Sequence, residues 1–173
     1  LKIYNVEEIV THGGSIRIYG CHENETRRIN VSVNKILNRE YNKGLNKLDT
    51  YKNFQNKIDL VKNKLLSFLI NQKNKGKKVV AYGAAAKGNT LLNYAGIKSD
   101  LLPYVYDLAK SKHGKFMPGS HIPILPSKEI INAKPDFVLI LPRNISKEVK
   151  LQNSTILKKR TKFVVAIPHL KIL

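Results

Sequence analysis

The stretch Val79-Val-Ala-Tyr-Gly-Ala-Ala-Ala-Lys-Gly-Asn-Thr90 limits the folds open to this chain more than any other. Val79 to Tyr82 is a short apolar run with β-branched residues, which reads as a buried strand. Gly83 stops it, and from Lys87 to Ala95 the residues Leu91, Leu92 and Ala95 fall on one helical face. Strand, small-residue turn and helix form the opening unit of a nucleotide-binding α/β fold. The turn Gly83-x-Ala85-x-x-Gly88 approximates G-x-G-x-x-G, with Ala in the second place. Small residues there let backbone approach a phosphate, and the helix amino end adds unpaired N–H groups and a positive dipole. Asp107, at the end of the next apparent strand, lies about 20 residues on, where an acidic side chain can take ribose hydroxyls. Read instead as a P-loop the turn fails, because Asn89 stands where the phosphate-binding lysine belongs and Lys87 precedes Gly88. A turn that only packs helix on sheet, with no ligand, fits the same residues.

Three further apolar runs predict strands: Tyr104–Asp107, Phe137–Leu141 and Phe163–Ile167. Ser127 opens a short helix to about Ala133, and Ser146 a longer one to about Lys158. His121-Ile-Pro-Ile124 reads as extended. The fold class is therefore α/β. Residues 76–173 should form a Rossmann-like, doubly wound, mostly parallel sheet of about four strands. Ligands bind such sheets outside the carboxyl ends of the strands. That rim collects the Gly83–Gly88 turn, Asp107, the loop to His121, Pro142-Arg-Asn144 and Pro168-His169.

Upstream, Leu1–Val6 and Ser15–Tyr19 read as strands around Thr11-His-Gly-Gly14, a short β segment within residues 1–30. Cys21 to Asn38 is polar and reads as linker. From Tyr41 to Phe68, apolar residues recur at steps of three and four. This predicts one amphipathic helix from Glu40 to Asn74, tolerating Gly44 and ending before Gly76. Linker and helix together make a segment over residues 31–75. A helix of about 30 residues spans roughly 45 Å, longer than a small domain. It should bridge to a neighbouring domain or support a homodimer.

The 31 Lys and Arg against 12 Asp and Glu give a formal charge of +19. An anionic partner is one reading of that excess. It is mostly lysine, scattered among asparagines, with no arginine-rich or aromatic-interleaved patch, so nucleic acid is not expected as a partner. Cys21, the only cysteine, rules out an internal disulfide and a cysteine-based zinc site, and no metal is expected. No apolar run approaches the roughly 20 residues of a membrane span. The start at Leu1-Lys2-Ile3-Tyr4 reads as mid-strand, in a piece of a larger cytoplasmic protein.

Three segments carry a family resemblance: Ala81 to Tyr94, Gly114-Lys-Phe-Met-Pro-Gly-Ser-His-Ile-Pro-Ile124, and Pro135-Asp-Phe-Val-Leu-Ile-Leu-Pro142. They resemble the carboxy-terminal domain of the sugar C-methyltransferases. Thr11-His-Gly-Gly-Ser-Ile-Arg-Ile-Tyr19 resembles the end of that family's central, cofactor-binding domain, so residues 1–30 would be its tail. The resemblance implies an S-adenosylmethionine-dependent enzyme that methylates a ring carbon of a nucleotide-linked deoxy keto-sugar. It also implies that the catalytic stretch, the S-adenosylmethionine pocket and the zinc module belong upstream. No catalytic residue and no cofactor pocket is then expected in this chain. Its partners would be the nucleotide-sugar and the upstream methyltransferase domain.

The expected substrate-binding residues are Gly83, Ala84, Ala85, Lys87, Gly88, Asn89, Thr90, Asp107, His121 and His12. Lys87 would meet a phosphate, and Asn89 and Thr90 would add polar groups; a solvated helix lysine is the other reading of Lys87. Asp107 either holds a hydroxyl pair or caps a strand end. Leu108-Ala109 follows it where the family usually has Asn-Pro, so the turn geometry can differ there. His12 can equally be a surface turn residue. Two other functions remain open: a stand-alone dinucleotide- or coenzyme A-binding module, and a basic docking domain without catalysis.

Overall fold

A computed structural model describes residues 1–11, 14–154 and 160–173. The chain separates into two compact units, Leu1–Lys57 and Ile58–Leu173.

In the first unit, β1 (Lys2–Ile9) and β2 (Ser15–Cys21) form an antiparallel hairpin in which Val6 opposes Ile18 and Glu8 opposes Ile16. Both strands are longer than their apolar cores suggest. The expected linker is partly helical: α1 spans Val31–Asn42. Asn30 caps it, its side chain accepting from the Ser32 N–H at 3.0 Å. Ser32 fixes the helix start to the hairpin, its hydroxyl accepting from the Val6 N–H at 3.2 Å and donating to Asn5 Oδ1 at 2.8 Å. Arg39 reaches Glu8 at 2.7 Å.

The single helix expected from Glu40 to Asn74 is three: α1, α2 (Leu48–Lys52) and α3 (Phe54–Asn74). Gly44 makes the first of the two breaks. It adopts φ +67°, its N–H bonds the Tyr41 carbonyl, and the Leu45 N–H bonds the Glu40 carbonyl. This is a left-handed helix stop, so the glycine terminates α1 where the apolar period alone continues through it. Thr50 Oγ and the Tyr51 hydroxyl then donate to the carbonyls of Gly44 and Leu45, at 2.6 Å each.

The second unit holds β3 (Val79–Tyr82), α4 (Ala86–Tyr94), β4 (Val105–Asp107), β5 (Ile124–Pro126), α5 (Ile130–Ala133), β6 (Phe137–Ile140), α6 (Ser146–Ser154), β7 (Lys162–Val165) and β8 (Lys171–Ile172). The sheet order is β5-β4-β3-β6-β7-β8, parallel except for β8, which runs antiparallel to β7. All four expected strands are present. The sheet gains β5, beyond the extended His121–Ile124 run, and an antiparallel edge. The chain winds outward from β3 to β5, then returns to β6 on the other side of β3. This is the doubly wound order, with its switch point between the carboxyl ends of β3 and β6.

Strand alternation divides the core. Val79, Ala81 and Leu139 face one layer with Leu65 and Leu69 of α3 and Leu92 of α4. Val80, Tyr82, Val138 and Ile140 face the other with Ile130 and Val149. Both layers are covered, which is why the strands read as unbroken apolar runs. Gly76 and Gly96, each at φ +67°, stop α3 and α4 as Gly44 stops α1. The part of the expected Ser146 helix between 155 and Lys158 lies outside the described residues. Among the described residues no helix is long and apolar enough to cross a membrane.

Candidate functional site

The glycine-rich turn sits at the switch point, and its glycines serve packing. Gly83 has φ +89°, and a Cβ built on it would lie 2.5 Å from Cδ of Pro142, two residues beyond the end of β6. Gly88 is buried, and a Cβ there would lie 2.5 Å from Leu141 Cβ. Small residues at both positions let α4 settle on the end of β6.

Backbone bonding in the turn is largely internal. The Ala84 N–H donates to Asp107 Oδ2 at 2.6 Å, and the Ala85 N–H to the Gly83 carbonyl at 2.8 Å. The first intrahelical bond of α4 runs from the Asn89 N–H to the Ala85 carbonyl at 2.9 Å. The N–H groups of Ala86, Lys87 and Gly88 therefore form the open end of the helix. Ala85, the N-cap residue, supplies no side-chain cap, and the first turn carries no acidic residue. Lys87 is exposed at this end.

Asn89 follows, half-buried, and its Oδ1 is buried without a hydrogen-bond partner. Ser120 Oγ is the other such atom among the described residues. A buried polar atom without a partner is uncommon and marks a place a ligand or water can satisfy. Thr90 Oγ donates to the Ala86 carbonyl at 3.2 Å, so the hydroxyl serves its own helix.

Asp107 is buried, and both its carboxylate oxygens are engaged. Oδ1 accepts from the Ala109 N–H at 2.7 Å. Oδ2 accepts from Ala84 and from Lys112 Nζ, the latter at 3.2 Å. Lys112 Nζ also donates to the Ala84 carbonyl at 2.9 Å. His113 Nε2 lies 2.8 Å from the Asp107 carbonyl, and because a carbonyl only accepts, this nitrogen carries the proton.

His121 is exposed and has φ +56°, so the run from His121 to Ile124 is not uniformly extended. Its N–H bonds the Met117 carbonyl, closing the Pro118-Gly119 turn. Asn93 joins that turn to α4, its Nδ2 donating to the carbonyls of Asn89 at 3.0 Å and Pro118 at 2.9 Å. His12 lies outside the described residues. Residues 83–90 and Asp107 thus come together, and His121 belongs to a loop tied to the same helix. Pro142 and the loop carrying Lys112 and His113 were expected on the rim, but these residues and Asn93 were not among the expected binding residues. Lys112 carried a signal, as a lysine five residues beyond an aspartate at a strand end. A shallow cavity lined by Leu69, Lys73, Lys77 and Asp100 lies at the opposite, amino end of β3.

Against known proteins, the profile of the family described as C-methyltransferase C-terminal domain matches residues 10–168. C-methyltransferase NovU of Streptomyces niveus is 27% identical over 173 residues, which are 100% of this chain and 41% of that protein. The chain thus spans less than half the length of the curated relative it matches. Among solved structures, UDP-D-quinovosamine 4-dehydrogenase from Vibrio fischeri is similar at 22% identity and a TM-score of 0.45, over 56% of this chain and 93% of that one.

Proposed function

The chain belongs to the C-methyltransferase C-terminal domain family, and from that membership we propose that it holds the substrate in a larger cytoplasmic enzyme. The substrate is a nucleotide-linked deoxy keto-sugar, methylated at a ring carbon. In this reading residues 1–30 end a preceding methyltransferase domain, 31–75 connect, and 76–173 close over the nucleotide-sugar. The observation that carries it is the open, uncapped amino end of α4 at the switch point of the sheet. Three N–H groups and the Lys87 ammonium offer positive potential to a diphosphate there. The unpartnered Asn89 Oδ1 offers an acceptor to a sugar hydroxyl.

A carbon beside a ketone loses its proton readily because the product is an enolate, and that enolate takes the methyl group. S-adenosylmethionine, when bound, supplies the methyl. The turn of this chain does not suit that cofactor: both Asp107 oxygens are engaged, and Pro142 fills the space over Gly83. This supports a pocket for it outside these residues. The task of this chain is then to bind and orient the sugar, which fixes how the reacting carbon meets groups supplied elsewhere.

Calorimetry on this chain with a dTDP-sugar, a UDP-sugar, S-adenosylmethionine, NAD and coenzyme A tests the proposal. A nucleotide-sugar should bind and S-adenosylmethionine should not. A second reading, the stand-alone dinucleotide or coenzyme module, draws on the β5-β4-β3-β6-β7 order with Asp107 at the end of β4. Binding of NAD or coenzyme A without nucleotide-sugar would select it.

A further inference from the structure

We propose that Asp107 and Lys112 are positioning residues that lock the glycine-rich turn, so that the three N–H groups at 86–88 alone remain for a diphosphate. The same lock closes the acidic subsite through which dinucleotide-binding domains hold a ribose. The inference rests on the nucleotide-sugar reading for its ligand and on geometry for the lock.

The peptide groups of Ala84 are held on both sides. Its N–H goes to Asp107 Oδ2 and its carbonyl to Lys112 Nζ, while Lys112 closes the triangle by pairing with Asp107 at 3.2 Å. Asp107 is held in turn by the Ala109 N–H on its second oxygen and by the His113 ring on its carbonyl. A ribose diol needs an acidic side chain with its oxygens turned outward. Here those oxygens are turned onto the turn and onto the residues after β4. The Asp107 side chain is 10% exposed, with the Lys112 side chain beside it at 41%.

Charge gives Lys112 a second task. A carboxylate bonded directly to a phosphate-binding turn would repel the phosphate it serves. The ammonium of Lys112 cancels that charge and leaves the field at the helix end positive. The neutral alternative, Asn in place of Asp107, accepts through one oxygen only and cannot serve Ala84 and Ala109 together.

The test uses this chain with dTDP, UDP and NAD as probes, and residue-resolved amide exchange as a readout independent of any ligand. In the parent, the Ala84 and Ala109 amides should be protected, as bonded donors at a loop. Lys112→Met should speed Ala84 exchange by about tenfold, the scale of one lost hydrogen bond to a charged group. It should weaken nucleoside diphosphate binding by a similar factor and leave Val80 and Val138 protected. Lys112→Arg should recover part of both effects. Asp107→Asn should release one of the two amides. If Lys112→Met does not fold, Lys112→Gln carries the same measurements.

Unchanged exchange at Ala84 together with unchanged diphosphate affinity in the Lys112 variants would overturn the proposal. So would NAD binding to the parent that Asp107→Asn abolishes. A parent that binds no nucleoside diphosphate defeats the functional reading instead, and the exchange pattern then decides the lock by itself.

Discussion

Leu141 occupies the space that a side chain at residue 88 would need, its Cβ lying 2.5 Å from a Cβ built on Gly88. The glycine is therefore a packing requirement of the α4–β6 contact, whatever the turn binds. Gly88→Ala should destabilise the chain by about 1–3 kcal/mol, the usual cost of forcing atoms into a packed site. Urea denaturation measures it. Adding Leu141→Ala should restore little, because the Leu141 Cβ is itself the nearest atom.

Lys87 stands at the open end of α4, exposed and one residue before the packed glycine. A charge-assisted hydrogen bond from it to a phosphate is typically worth about 1.5–3 kcal/mol. In the complete enzyme, Lys87→Ala should weaken nucleotide-sugar binding by roughly tenfold to a hundredfold. The melting temperature should barely move, since alanine keeps helix propensity. Equal affinity in variant and parent would remove Lys87 from the site.

The strands of the second unit were legible because both faces of the sheet are covered, leaving Val79–Tyr82 and Phe137–Ile140 as nearly continuous apolar runs. β5 was hidden by Pro126 within it and Pro123 just before it, and β8, only Lys171–Ile172, is too short to carry a period. The glycine-turn site was legible as a motif, but the bonding around it was not. Asp107 faces its own chain because the Ala84 and Ala109 N–H groups and Lys112 hold its oxygens, and Lys112 sits on a single 3-10 turn that no periodicity places. Helix boundaries failed where one residue outweighed a pattern. The steps of three and four run through Gly44, and only its positive φ reveals the stop.

Gly96 isolates that left-handed effect, since its φ is +67° and nothing lies within 4 Å of a Cβ built there. Gly96→Ala should cost about 1–2 kcal/mol from backbone strain alone. Thermal unfolding of this variant should thus show a clear loss without any lost contact. An unchanged melting temperature would mean that the introduced alanine escapes the left-handed conformation by fraying α4.

Asp136 joins the starts of β3 and β6, accepting from the Lys78 N–H and from Lys77 Nζ at 2.9 Å each. The Lys78 backbone bond first, and the Lys77 bond second, hold its carboxyl below the usual carboxylate value. A depressed folded pKa gives stability that is present above the unfolded value, about 3.9, and lost as pH falls through the folded one. Melting of the parent should therefore fall more steeply below about pH 4 than that of Asp136→Asn. Parallel pH profiles would show that the carboxylate contributes nothing to the acid limb.

In the proposed function the amino end of α4 meets the phosphates of a nucleotide-sugar. Amide chemical-shift mapping of this chain during titration with dTDP- and UDP-sugars tests it directly. Saturable shifts should concentrate at Ala86, Lys87, Gly88 and Asn89, with smaller ones in the Pro118–His121 loop. Saturable binding whose shifts leave residues 86–89 untouched would contradict it.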